Sequence, residues 1–264
     1  MKIGFIGLGN MASAIIGGIL KKGLVEAGDI CGADKATVMC DKAKSQFGLE
    51  VCETNSAVAA KADVLFLAVK PLFLPEVLED IRDDLKENTV IVSIVAGKTI
   101  SFIEERLGEG KKIVRCMPNT PALVNEGCTG VCANANVNSE EMSKVLELLN
   151  SFGIAQEVPE RLMDAVVGVS GSAPAYVFMF IEAMADAAVL AGMPRQQAYD
   201  FAAQAVLGSA KMVLETGKHP GELKDMVCSP GGTTIEAVKV LEEKGFRAAV
   251  MDAMEACIAK SKNL

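Results

Sequence analysis

Short apolar runs alternate with amphipathic stretches through the first half of the chain. The runs fall at residues 2–6 and 30–33, around Val51, and at 64–69, 90–95 and 113–117. Between them lie segments of helical period, such as 74–85 and 101–107. Runs this short suit strands buried on both faces, and their alternation with helices builds a parallel, doubly wound sheet. A helix at 139–150 and strand-like runs at 128–133 and 154–158 extend the same pattern. From about Pro159 the strand signal stops, and alanine- and methionine-rich helical periods follow at 173–191, 195–216, 232–244 and 246–260. The pattern predicts an α/β domain over residues 1–160 and an all-helical domain over 161–264. Long apolar helices in so small a domain need a second subunit to cover them, so the helical part is expected to dimerise.

The first strand runs directly into Gly7-x-Gly9-x-x-Ala12, and a helical pattern continues to about Lys22. Strand, glycine turn and helix, in that order, is the context of a dinucleotide fingerprint. Gly7 permits the tight turn, Gly9 lets a pyrophosphate approach the helix amides, and Ala12 keeps helix and strand close. The first domain therefore reads as Rossmann-type, with Ile6, Gly7, Leu8, Gly9, Asn10 and Met11 around the cofactor. Asp34 stands near the end of the second strand and Lys35 follows it. An acidic residue there binds the ribose hydroxyls of NAD, and a basic one neutralises the 2′-phosphate of NADP, so these neighbours pull in opposite directions. Ala68, Val69, Lys70 and Pro71 close the fourth strand, where Lys70 is placed to meet phosphate or ribose. Ala96 and Gly97 close the fifth and the segment 118–121, with Asn119, the sixth; these are expected at the nicotinamide end. Asn55 begins the helix after the third strand, as a cap, a ligand to the adenosine half, or both.

The helical half carries a second anion-binding signal. Ser229-Pro-Gly-Gly-Thr-Thr234 leads into the apolar helical pattern Ile235, Val238, Leu241. Two glycines let the backbone come close to a ligand, and the free amides of a first helical turn attract negative charge. A cap needs one hydroxyl, and this segment supplies three.

Composition narrows the picture. The chain has 264 residues, half of them hydrophobic, with a formal net charge of −8 and pI near 4.9. Such acidity argues against nucleic acid or an anionic membrane as partner, so local amides must attract any anionic ligand. Met1 leads directly into a strand, and Glu182 and Asp186 interrupt the most apolar stretch, so a cytoplasmic protein is expected. The eight cysteines lack paired metal or redox spacing and read as reduced, buried thiols. His219, the only histidine, precedes Pro220-Gly221 in a turn and suits a surface role better than proton transfer. Glu182 and Asp186, at i and i+4, fit an ion pair with Arg or Lys better than a metal.

Taken together, the residues resemble delta-1-pyrroline-5-carboxylate reductase, the family that completes proline synthesis. The resemblance rests on residues 4–12 (GFIGLGNMA), 68–71 (AVKP), 117–121 (MPNTP), 168–176 (GVSGSAPAY) and 225–234 (DMVCSPGGTT), and it spans essentially the whole chain. It implies NAD(P)H-dependent reduction of the cyclic imine 1-pyrroline-5-carboxylate to L-proline. NADPH is the usual donor in the family, and many members use NADH. It also implies a homodimer through the helical domain, often assembled into a decamer of five dimers. Carried over by motif, Ser229, Gly231, Gly232, Thr233 and Thr234 would bind the substrate carboxylate and ring nitrogen, with Thr234 as the catalytic candidate. Gly7 to Met11, Asn55 and Ala68 to Pro71 would hold the cofactor. Asp34 departs from the small polar or basic residues usual in the family.

Two other readings compete. A 3-hydroxyacid dehydrogenase shares the glycine start, but its family pattern GxxGxGxxxK carries an acid/base lysine where this chain has Val177. A non-catalytic dinucleotide sensor would not need the segment 229–234.

Overall fold

A computed structural model describes residues 1–263. Among them, one sheet contains β1 (Ile3–Ile6), β2 (Ile30–Ala33), β3 (Glu50–Val51), β4 (Val64–Leu67), β5 (Val90–Ser93), β6 (Lys112–Met117), β7 (Gly127–Ala133) and β8 (Gly153–Glu157). Their order is β3-β2-β1-β4-β5-β6-β7-β8. The helices of this half are α1 (Asn10–Lys21), α2 (Thr37–Phe47), α3 (Asn55–Lys61), α4 (Leu74–Ile81), α5 (Ile100–Leu107) and α6 (Ser139–Leu149). Then follow α7 (Met163–Val166), α8 (Ala173–Leu190), α9 (Arg195–Thr216), α10 (Pro220–Val227), α11 (Thr233–Glu243) and α12 (Phe246–Ser261).

The first six strands are parallel, and β1 and β4 lie side by side where the winding reverses. Open α/β sheets leave a ligand crevice at that reversal. The parallel expectation fails beyond β6, because β7 returns antiparallel and β8 pairs parallel to it. Only the short turn Thr120–Val124 joins β6 to β7, too short for a crossover of about a dozen residues.

Apolar runs on these strands serve two cores. Ile3, Phe5, Val64 and Phe66 face one side, while Ile6, Leu65, Leu67 and Ile91 face the other. Phe5 stacks on Phe66 with centroids 4.8 Å apart. With both faces covered, each strand reads as continuously apolar rather than alternating.

Among the described residues two compact units result: residues 1–172 with 257–263, and residues 173–256. The sequence boundary near 160 falls earlier because residues 160–172 pack on the sheet. The Glu160 carboxylate accepts from Arg115 at 3.0 Å and from the Ile100 N–H at 2.8 Å. Met163 is buried, and Val166 lies against Gly130 so closely that a Cβ there would meet it at 2.8 Å.

Within the second unit, α8 packs along α9. Among its described residues only Ala185, Ala198 and Ala202 are buried hydrophobics, while Phe178, Met179, Phe201 and Leu214 are each more than 60% exposed. A single chain leaves this apolar surface uncovered. Within residues 160–190 an 18-residue window has the length and apolarity of a bilayer span by composition, with mean hydropathy 1.5. Four acidic residues, Glu160, Asp164, Glu182 and Asp186, stand in 160–190, and Asp186 pairs with Arg195. Pro220-Gly221, expected in a turn, instead opens α10. Pro220 takes the first helical position, where its missing N–H costs nothing, and His219 Nδ1 accepts from the Gly221 N–H at 3.0 Å.

All eight cysteines are free thiols. Burial pushes Cys31 and Cys132 up to about 11 and Cys116 higher still, which keeps them neutral.

Candidate active site

The glycine turn forms the floor of a cleft of about 340 Å³ at the carboxyl ends of β1, β2 and β4. Gly7 has φ 92°, and a Cβ there would sit 2.5 Å from the Ala68 carbonyl oxygen, so only glycine allows β1 and the loop after β4 to approach. Gly9 is different. It has ordinary φ of −70°, and an added Cβ would meet no atom within 4 Å. Protein packing does not require glycine at that position. The space above it, beside the first turn of α1, suits a pyrophosphate, and no side chain caps that helix. The residues present therefore fit a dinucleotide.

Of the expected cofactor residues, the cleft brings together Ile6, Gly7, Gly9, Asp34, Lys35, Asn55, Ala68, Val69 and Lys70. It adds Ala33, Ala36, Phe73 and Val77, which sequence reasoning missed. Phe73, 42% exposed at the start of α4, was the available signal: a large apolar side chain left open after Lys70-Pro71. The other expected residues stand elsewhere. Leu8 sends its side chain into the core under Gly32 and offers only its N–H, which donates to Asp34 at 2.8 Å. Met11 packs against the core, and Asn10 borders a separate depression with Ser13 and Lys21. Pro71 opens a short 3-10 turn, and Ala96-Gly97 follows β5, all outside the cleft lining.

Asn55 is not the cap of α3. Thr54 takes that role by accepting from the Ala57 N–H, while Asn55 lines the cleft and donates to Asp80 at 3.1 Å. Asn119 is a buried tie, not an open ligand. Its Oδ1 accepts from the Cys128 N–H at 2.8 Å, and its Nδ2 donates to the Ser170 carbonyl at 3.0 Å. It thereby fixes the loop after β6 to a π-type turn at 167–171, where the Ser172 N–H donates to the Val167 carbonyl. Asn119→Ala strands both partners and is expected to lower stability by about 2 kcal/mol or more. An unchanged urea midpoint would contradict this role.

In the second unit, Ser229 to Gly232 makes a reverse turn. The Gly232 N–H donates to the Ser229 carbonyl at 3.0 Å, and Gly231 has φ 65°. Proline then glycine of positive φ is the sequence of a type II turn. The Ser229 hydroxyl leans over Gly232, where a Cβ would come within 2.4 Å of its Oγ. Gly232 begins α11, and no side chain caps the helix. Elsewhere Thr54, Thr99, Asn138 and His219 cap their helices. At α11 the hydroxyls of Ser229, Thr233 and Thr234 make no hydrogen bond among the described residues, so both they and the first amides stay open to a ligand. Thr234 is half-buried and Thr233 exposed.

Known proteins give the same picture. The profile for pyrroline-5-carboxylate reductase dimerisation matches residues 160–264, and that of an NADP oxidoreductase, coenzyme F420-dependent, matches 2–97. The pyrroline-5-carboxylate reductase of Escherichia coli is 57% identical over all of this chain and 98% of its own length. Two solved structures carry the likeness to three dimensions. The pyrroline carboxylate reductase of Plasmodium falciparum with NADP bound is 36% identical, with TM-score 0.90 over 100% of this chain and 97% of that one. The Coxiella burnetii pyrroline-5-carboxylate reductase is 35% identical, with TM-score 0.93 over 99% and 97%. A glycine cleft built for a dinucleotide, an uncapped helix start and full-length likeness at this identity lead to one conclusion: the chain belongs to the pyrroline-5-carboxylate reductase family of NAD(P)H-dependent oxidoreductases.

Proposed function

We infer that the chain reduces 1-pyrroline-5-carboxylate to L-proline, with the nicotinamide cofactor in the glycine cleft and the imine acid at the start of α11. The observation that carries the substrate assignment is the uncapped Gly-Gly start of α11 with its three unengaged hydroxyls. The amides of that first turn take the carboxylate, and the local field of the helix end favours its charge. Gly231 and Gly232 keep the backbone accessible, and Ser229 and Thr233 border the same anion. When bound, the reduced cofactor supplies a hydride to the imine carbon while the ring nitrogen takes up a proton. The Thr234 hydroxyl contacts that nitrogen, orienting the ring and relaying a proton from water; its own acidity is too weak for it to be the sole acid.

On this reading residues 1–160 hold the cofactor, and residues 161–264 bind substrate and dimerise. The uncovered apolar residues of α8 and α9 support a homodimer; a decamer of five dimers is the larger assembly that the resemblance implies. The net charge of −8 supports an enzyme without a nucleic-acid or anionic-membrane partner, and the acidic residues inside its most apolar stretch support a cytoplasmic one. A dinucleotide sensor without turnover would leave the open start of α11 unexplained.

Removing the substrate carboxylate tests the assignment. With 1-pyrroline in place of 1-pyrroline-5-carboxylate, kcat/KM is expected to fall at least about a hundredfold, because the helix amides lose their partner. Comparable rates for the two imines would refute the anion site.

A further inference from the structure

We propose that Asp34 turns the cofactor site toward NADH and against NADPH. This rests on reading the glycine cleft as a nicotinamide-dinucleotide site. The sequence placed an acid and a base side by side at the end of β2, and the geometry separates their roles. Asp34 is clamped: Oδ2 accepts from the Leu8 N–H and Oδ1 from the Ala36 N–H, both at 2.8 Å. The first bond ties the carboxylate to the glycine loop, so the negative charge is held on the cleft wall and cannot swing away.

Beside Asp34, the two groups that would welcome a 2′-phosphate are otherwise engaged, while Lys70 lines the cleft from the loop after β4. Lys35 Nζ lies 2.7 Å from Glu76 Oε1 and 5.7 Å from the Phe73 ring centroid. The Ala36 N–H, at the start of α2, is taken by Asp34 itself. The pair of Lys35 and Glu76 is exposed, at 63% and 57%, so it is weak and can open. Even then Lys35 would have to offset both the fixed Asp34 charge and the freed Glu76. A ribose diol meets no such conflict. Its hydroxyls are donors, and each Asp34 oxygen keeps a lone pair beyond the one facing an amide. A dianionic phosphate beside the same carboxylate is repelled through the partly desolvated cleft.

Calorimetric titration of the purified protein with NAD⁺ and with NADP⁺ tests this without any imine. The wild type is expected to bind NAD⁺ more tightly. The ratio of the two affinities should then move at least about tenfold toward NADP⁺ in Asp34→Asn, which removes the charge but keeps an acceptor for one amide, or in Asp34→Ser. Tighter NADP⁺ binding by the wild type would overturn the proposal. So would a ratio unchanged in both variants, including an equal loss of both nucleotides. Failure to turn over an imine acid would strike the reductase reading while leaving this ratio intact, so the two can fail separately.

Discussion

Gly9→Ser is expected to weaken binding of the nicotinamide cofactor by at least about a hundredfold while leaving the apo-protein as stable as before. The reason is the contrast between two glycines two residues apart. At Gly7 the backbone has φ 92° and a Cβ would meet the Ala68 carbonyl at 2.5 Å, so the fold itself requires glycine. At Gly9 nothing lies within 4 Å of an added Cβ, and φ is ordinary. Serine is a better helix cap than glycine by a few tenths of a kcal/mol at about the level of measurement, so the melting temperature should hold or rise slightly. The new hydroxyl would accept from a first-turn amide and occupy the pyrophosphate space at once. Titration of each variant with cofactor, beside a thermal melt, separates these effects. If Gly9→Ser binds normally, the pyrophosphate does not approach α1 there. If it unfolds the protein, Gly9 is structural like Gly7.

Thr234→Ala should lower kcat on the order of a hundredfold and change cofactor affinity little. Thr234 sits in the first turn of an uncapped helix, half-buried, with a hydroxyl no other group in the described chain uses. Its loss leaves the helix amides in place, so the carboxylate still binds and KM moves less than kcat. Thr234→Ser keeps the hydroxyl and should recover most of the rate. Equal losses in turnover and cofactor affinity would show that the substitution disturbs the fold at large. A rate unchanged in Thr234→Ala would remove the hydroxyl from the reaction.

How much of this was legible beforehand depended on whether the signal was local. The parallel strands and the glycine turn were readable because a strand buried on both faces is a plain apolar run, and Gly7 and Gly9 stand at fixed spacing after one. The helix starting at 233 was readable for the same reason, since Gly232 and the threonines announce it. Helix α10 was missed because Pro220-Gly221 looks like a turn, and only the His219 cap turns it into a helix start. The reversal at β7 depends on the length of one connection, and no periodicity records that. At the cofactor cleft most residues at the strand ends were found, but Ala33 was passed over for its polar neighbours, and Phe73 and Val77 lie just past Pro71, where the recognisable block ends. Asn119 lies in a recognisable block, yet its two hydrogen bonds, to Cys128 and Ser170, assign its side chain to holding the loop. Asp34 and Lys35 were equivalent candidates until Glu76, distant in sequence, engaged the lysine.

The most direct test of the reductase assignment is the oxidation of NADH and NADPH, followed by absorbance, with 1-pyrroline-5-carboxylate as substrate and identification of the product. Cofactor oxidation is expected to depend on the imine acid and to yield L-proline in equal amount. Cofactor binding without imine-dependent oxidation, or oxidation that forms no proline, would contradict the assignment.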